Sequence, residues 1–319
     1  MNLFINEDGE LKYDSGLVFI GITKTFTIPI ETINSITTYC NLKYDSKVQI
    51  VLSERNISLF LFDKQFRSYA IVNNEVSGNT LVNQAMKYVN DRLVIAKEFV
   101  ISSIFNMICV LRYYGIDLNN TIFESRQIVK KNIGSCIDYN HLLAKEAEYR
   151  KKYYAYFNEI INNNDFAFIN RSTRPPKDSI NSLISFGNSL LYKECLEAIV
   201  QSKICKCISF LHSSNERING LEYDISEIYK PLIVDRTIFT CINKKIITNE
   251  DFIENDYGVI IKWDARNKFI NQFYKKLSST IVMKNKRISY KGLIVKDCIK
   301  LRNFINRKSE YLSFFKGRW

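Results

Sequence analysis

Only two histidines, His141 and His212, occur in the 319 residues, so imidazole chemistry has few places to sit. The eight cysteines, at 40, 109, 136, 195, 205, 207, 241 and 298, lack the spacing of a disulfide scaffold. Cys205 and Cys207 flank Lys206, but a lone C-x-C without a second pair does not make a zinc ribbon, and the thiols read as buried structural groups. No apolar run approaches the length of a membrane-spanning helix, and Met1-Asn2-Leu3-Phe4-Ile5 runs into acids where a leader would continue. These absences point to a soluble protein of a reducing cytoplasm, with no membrane partner. Internal repeats and low-complexity segments are missing as well, which removes repeat architectures.

Acids are scarce in one half only. The chain carries 45 Lys and Arg against 33 Asp and Glu, a net charge of +12, and 46% of its residues are hydrophobic, enough for real cores. Residues 1–77 hold 7 basic and 9 acidic side chains, whereas residues 78–319 hold 38 and 24. After Tyr257 there are 16 basic residues and three acids, Asp264, Asp297 and Glu310. A basic surface of this kind fits a polyanion, and nucleic acid is the commonest one. The bland alternative is a solubilising surface.

Short alternating or β-branched runs fill the first 77 residues, at 16–20, 25–30, 33–38, 57–62 and 69–72, with one helix expected near Ser46 to Arg55. The segment 73–79 marks a boundary, after which helical spacing takes over. The expected fold class is therefore α+β, a β-rich N-terminal domain over 1–77 followed by a larger, all-helical domain over 78–319. Within 140–162 the apolar stripe runs Leu142, Tyr149, Tyr153, Phe157, Ile160, and Glu146 falls on it. A carboxylate on the core side of a helix must be neutralised, hydrogen-bonded or bound to a cation. Glu194, on the apolar side of a helix that Asp178 or Ser179 would cap, competes for the same reading. On that helix Gly187 signals close packing. The tail from Trp263 to Trp319 reads as helix, with Phe269, Phe273, Leu277, Leu301, Phe304 and Ile305 as its core.

The densest chemistry lies in 203–236. His212 ends an apolar run, and Asp224 and Glu227 follow it at a spacing that shares one helical face, unless Pro231 disturbs the helix. One imidazole with two carboxylates suits a divalent ion of mixed nitrogen and oxygen preference, such as manganese, better than a zinc cage. A third ligand must come from elsewhere, and Glu146 is a candidate.

The segment from Arg174 to Tyr192, with Phe210-Leu211-His212 and the stretch from Asp224 through Glu227 and Pro231 to Arg236, resembles the CRISPR-associated adaptation endonuclease and integrase family. The likeness extends to Leu142–Ala147, with Tyr153 and Tyr154 beyond it, and to the spacing of Asn79–Asn106 around Gln84. It implies a β-rich first domain that dimerises, a helical catalytic domain, and a metal site of Glu146, His212 and Glu227 holding Mn2+ or Mg2+. It places Asp224 beside that site and Lys230 and Tyr192 near bound DNA. Two positions depart from the family pattern, Ala147 for a usual glycine and Asn188 for a common aromatic. The implied activity is insertion of short foreign DNA segments into a repeat array by phosphoryl transfer, on double-stranded and branched DNA. The implied assembly is a homodimer, two copies of which are bridged by a small second adaptation protein. The rival readings are a catalytically inactive DNA-binding scaffold and a basic protein that binds RNA structurally.

Overall fold

Alternation of apolar and polar residues, with few helix formers between turns, makes the first part of the chain a pair of sheets. In the computed structural model, which describes residues 2–63, 69–72, 76–212, 220–256 and 258–317, the strands are β1 (Asn2–Ile5), β2 (Gly9–Tyr13), β3 (Leu17–Gly21), β4 (Thr25–Ile28), β5 (Ser35–Thr38) and β6 (Leu42–Tyr44). Helix α1 (Ser46–Glu54) follows, then β7 (Ser58–Phe62) and β8 (Tyr69–Val72). One sheet has the order β1-β5-β7-β8, with β1, β5 and β7 parallel and β8 antiparallel; the other has the order β4-β3-β2-β6. Asp45 caps α1 by accepting from the Val48 backbone N–H at 2.9 Å. That helix turns Val48 and Leu52 onto Leu11, Phe19, Ile36 and Leu59, the fully buried centre of this unit.

The chain divides into two compact units, Met1–Val76 and Ser77–Trp319. Of the boundary segment expected at 73–79, residues 73–75 lie outside the described residues. The second unit comprises α2 (Gly78–Tyr113), α3 (Arg126–Gly134), α4 (Tyr139–Ala155), α5 (Phe157–Ile160), α6 (Ser179–Gln201), α7 (Leu221–Lys230) and α8 (Arg236–Asn243). Beyond these come β9 (Phe252–Asn255), β10 (Gly258–Ile261), α9 (Trp263–Ser278), β11 (Thr280–Met283), β12 (Lys286–Ser289) and α10 (Tyr290–Ile305). The fold is thus β-rich first and mostly helical after, with one addition: β9–β10 and β11–β12 form two antiparallel ribbons, the second inside the tail that reads as helix.

Helix α2 corrects the expectation on apolar length. An 18-residue window of it has a mean hydropathy of 1.9, and the helix is long and apolar enough to cross a membrane, yet 72% of that window is buried inside the protein. Its interior face meets α7, where the Asn106 amide donates to the Ile228 carbonyl at 2.8 Å and accepts from the Gly317 N–H at 2.8 Å. The next residue of α7, Tyr229, donates its hydroxyl to Asp297 of α10 at 2.7 Å, and that carboxylate also accepts from the Phe315 N–H. A helix packed on several sides must be apolar nearly all round, which is the composition that imitates a membrane span.

Helix α6 begins as its sequence indicates: Asp178 accepts from the Asn181 N–H at 2.7 Å. Gly187 admits close approach, since a Cβ there would stand 2.7 Å from Val234 Cγ1 and 3.2 Å from the Phe269 ring. Gly187→Ala is accordingly expected to lose about 1–3 kcal/mol of stability from overpacking. Urea unfolding measures this, and an unchanged midpoint would show that Val234 and Phe269 yield freely. Glu194 is spent on structure. It pairs with Lys193 at 3.0 Å and with Lys291 of α10 at 2.7 Å, while Glu197 pairs with the same two lysines. Both carboxylates are buried, and a matched set of opposite charges removes the cost of an uncompensated one.

Between α7 and α8 the chain makes a five-residue π-helical stretch, Pro231–Asp235. Proline has no N–H to close a normal turn and its ring crowds the preceding one, so the winding widens there. The turn sends the buried Asp235 carboxylate to the Tyr153 hydroxyl of α4 at 3.1 Å.

Candidate active site

His212 owes its position to backbone hydrogen bonds. Asp224, fully buried in the first turn of α7, accepts from the Phe210 and Leu211 N–H groups with Oδ2 at 2.6 and 2.9 Å, and from the His212 N–H with Oδ1 at 3.0 Å. The same Oδ1 lies 2.8 Å from His212 Nδ1. A little upstream, Gln84 of α2 grips the irregular segment before it: its amide donates to the Cys205 and Ile208 carbonyls and accepts from the Cys205 N–H, all between 2.9 and 3.0 Å. Two helices therefore pin the segment that carries the imidazole. With Nδ1 bound to Asp224, Nε2 is left facing Glu227, 3.9 Å from its Oε1. Burial would lower the imidazole's proton affinity, but the bond to Asp224 and the charges of Asp224 and Glu227 outweigh it and raise His212 above its ordinary value.

Asp224 and Glu227 share one face of α7, three residues apart, as the spacing requires. Glu146 comes from α4, whose stripe of Leu142, Tyr149 and Tyr153, continued by Phe157 and Ile160 of α5, is buried throughout. The Glu146 side chain itself is 24% exposed, at the edge of that stripe, and Glu227 is 9% exposed. Arg150, one turn beyond Glu146, joins the two. Its Nε and Nη2 both donate to Glu146 Oε1 at 3.2 Å, Nη2 makes an ion pair with Glu227 Oε2, and Ser103 Oγ of α2 lies 3.4 Å away. Lys230 pairs with the other Glu227 oxygen, and its ammonium stands 5.2 Å from the centre of the Tyr192 ring. Tyr192 in turn meets Tyr223 edge to face at 4.7 Å. Burial would raise the Glu227 carboxyl, but Arg150, Lys230 and His212 together hold it at about 2.

The structure thus brings Glu146, His212, Asp224, Glu227, Lys230 and Tyr192 into one neighbourhood. Sequence reasoning missed Arg150. Its only local signal is the i, i+4 relation to Glu146, since the pairing with Glu227 depends on how α4 meets α7. The C-x-C pair also differs from its reading as core: Cys205 is half-buried and Cys207 exposed. The polar loop that follows His212, at 213–219, lies outside the described residues.

Among the described residues no three of His, Cys, Asp and Glu are arranged to hold a metal ion. The donor set nevertheless suits one chemically. A ligand imidazole commonly has its second nitrogen held by a carboxylate, as Asp224 holds Nδ1, while the Glu227 carboxylate lies 3.9 Å from Nε2 and Glu146 is joined to Glu227 through Arg150. What fills the place between Glu146 and Glu227 is the guanidinium of Arg150.

Glu222, in the same turn as Asp224, is 3% exposed, and its Oε2 has no hydrogen-bond partner among the described residues. Burial lifts this carboxyl from 4.5 to about 7. A folded value above the unfolded one means that stability is greatest in acid and falls as pH rises through about 7, where the buried group ionises. Glu222→Gln is expected to stabilise the protein at pH 8 by on the order of 3 kcal/mol, with the gain shrinking toward pH 5. Denaturant unfolding at both pH values measures it, and a gain independent of pH would contradict the assignment.

The chain matches the family described as CRISPR associated protein Cas1 over residues 3–275. It is 33% identical to the CRISPR-associated endonuclease Cas1 2 of Thermodesulfovibrio yellowstonii, covering 99% of each chain. A solved Cas1 protein from Thermotoga maritima superposes with a TM-score of 0.81 at 25% identity, over 100% of both chains. A casposase bound to integration product superposes with a TM-score of 0.80 at 21% identity, over all of this chain and 94% of that one, and shares its fold.

Proposed function

The chain belongs to the CRISPR-associated protein Cas1 family, and from that premise we propose that it is a DNA endonuclease and integrase that inserts short foreign DNA segments into a CRISPR repeat array. The observation that carries this reading is the double hold on His212, which turns Nε2 toward Glu227, the carboxylate that Arg150 joins to Glu146 of another helix. Glu146, His212 and Glu227 would hold Mn2+ or Mg2+, which supplies polarisation of the scissile phosphodiester and compensates charge on the departing oxygen. Asp224 fixes the imidazole tautomer with its proton on Nδ1. Lys230 offers a fixed cation to a phosphate oxygen, and Tyr192 offers an aromatic face beside it. The basic surface of residues 78–319 holds double-stranded or branched DNA through its phosphates, with little sequence reading.

The assembly that goes with this reading is a homodimer formed through the β-rich unit, with a small second adaptation protein bridging two dimers. A strand-transfer assay with a labelled short duplex and a repeat-containing target, in manganese and in chelator, tests the activity. Product in manganese and none in chelator is the expected result, and its absence in both would remove the reading. One observation favours the second reading, a DNA-binding scaffold without catalysis: both carboxylates of the pocket already carry a basic partner. That reading predicts DNA affinity untouched by chelator and no transfer under any condition.

A further inference from the structure

Six titratable side chains meet here, and they divide unequally. Lys230 touches Glu227 alone, and His212 is already tied to Asp224. Arg150 alone reaches both Glu146 and Glu227, carboxylates from two different helices. Its own side chain is 14% exposed, so the guanidinium is held inside the protein, with the Ser103 hydroxyl as a neutral partner at 3.4 Å. A planar cation that bridges two acids occupies the place a divalent ion would need, because both compete for the same oxygens. Arginine is also the side chain best matched to a phosphate, so DNA competes for the guanidinium just as a metal competes for the carboxylates.

We propose that Arg150 is the resident counter-cation of this pocket: it pairs Glu146 with Glu227 until a divalent ion takes its place, and once released it donates to a phosphate of bound DNA. Metal and DNA each break the ion pairs that oppose the other, so the two bind cooperatively. The inference rests on the metal reading of Glu146, His212 and Glu227. It also explains how two acids from different helices remain stable in one neighbourhood before the ion arrives, since Lys230 and His212 face Glu227 whereas Arg150 pairs with both carboxylates.

The test is calorimetric titration of Mn2+ into the full-length protein, wild type and Arg150→Met, each with and without a short duplex lacking 3′ hydroxyls. The methionine variant is expected to bind Mn2+ about tenfold tighter than wild type in the absence of DNA, a typical coupling. Wild type is expected to gain a similar factor when the duplex is added, and the variant to gain none. In chelator the variant should melt below wild type and recover on adding Mn2+. Arg150→Lys, which keeps a charge that cannot span both carboxylates, should fall between the two, and with the wild-type titrations it decides the matter should the methionine variant not fold. Equal or weaker Mn2+ binding by the variants, or DNA-independent binding by wild type, would overturn the proposal while leaving the metal reading intact. No Mn2+ binding by any of the proteins would overturn both.

Discussion

Replacing His212 or Glu146 by alanine is expected to lower manganese-dependent strand transfer by on the order of a thousandfold, while the affinity for duplex DNA measured in chelator stays within about threefold. The two side chains approach the pocket from different elements, His212 from the segment pinned by Gln84 and Asp224, and Glu146 from α4. Neither is needed to bury a core, as His212 keeps 40% of its side chain exposed and Glu146 24%. Loss of either therefore leaves a folded protein with its basic surface unaltered. Duplex affinity separates a lost reaction from a lost substrate, because phosphate contacts spread over the surface do not depend on one pocket. If both alanine variants transferred strands at the wild-type rate, the reaction would have to be placed elsewhere in the chain. If they lost duplex binding in proportion, the pocket would be a binding site and the scaffold reading would gain.

Asp224→Ala is expected to be more damaging, because it acts on stability and on chemistry together. The carboxylate receives three backbone N–H groups and the imidazole Nδ1 while being fully shielded from water. Removing it strands buried donors, each costing about 1–3 kcal/mol, and a total loss on the order of 4 kcal/mol is expected. Asp224→Asn keeps the volume and one acceptor oxygen but turns an N–H2 toward donors, so part of the stability returns while His212 loses its fixed tautomer. The expected pattern is a sharply lowered melting temperature for the alanine variant. For the asparagine variant it is a smaller shift, with transfer reduced about a hundredfold or more. An asparagine variant with full activity would show that the orientation of His212 does not limit the reaction.

Much of this pocket is visible in the chain before any folding is considered. The stripe on α4 places Glu146 at the margin of a buried face, the Asp178 cap starts α6, and the spacing of Asp224 and Glu227 sets both on one side of α7. These are local relations, and local geometry follows from local residues. What depends on contact between distant elements was not visible. Arg150 gains its second carboxylate only because α4 lies against α7, and the residues alone leave Glu194 level with Glu146 because Lys291, which neutralises Glu194 together with Lys193, arrives from α10. The ribbon β11–β12 was hidden for another reason: four-residue strands carrying Lys286 and Arg287 have too little alternation to outweigh the helical spacing on either side. The span-like composition of α2 was hidden because its apolar residues come at three- and four-residue intervals, and burial on several sides is known only once α7 and its neighbours are in place.

Gln84 grips the main chain at Cys205 and Ile208, and its hold has an evolutionary consequence. A clasp that recognises only peptide groups is indifferent to what hangs from them, so replacing the side chains at 205 and 208 would leave this hold on the segment in place. Descendants of this protein would then be able to remodel the outer surface of that segment for new neighbours while inheriting the same reaction geometry, provided the glutamine itself is kept.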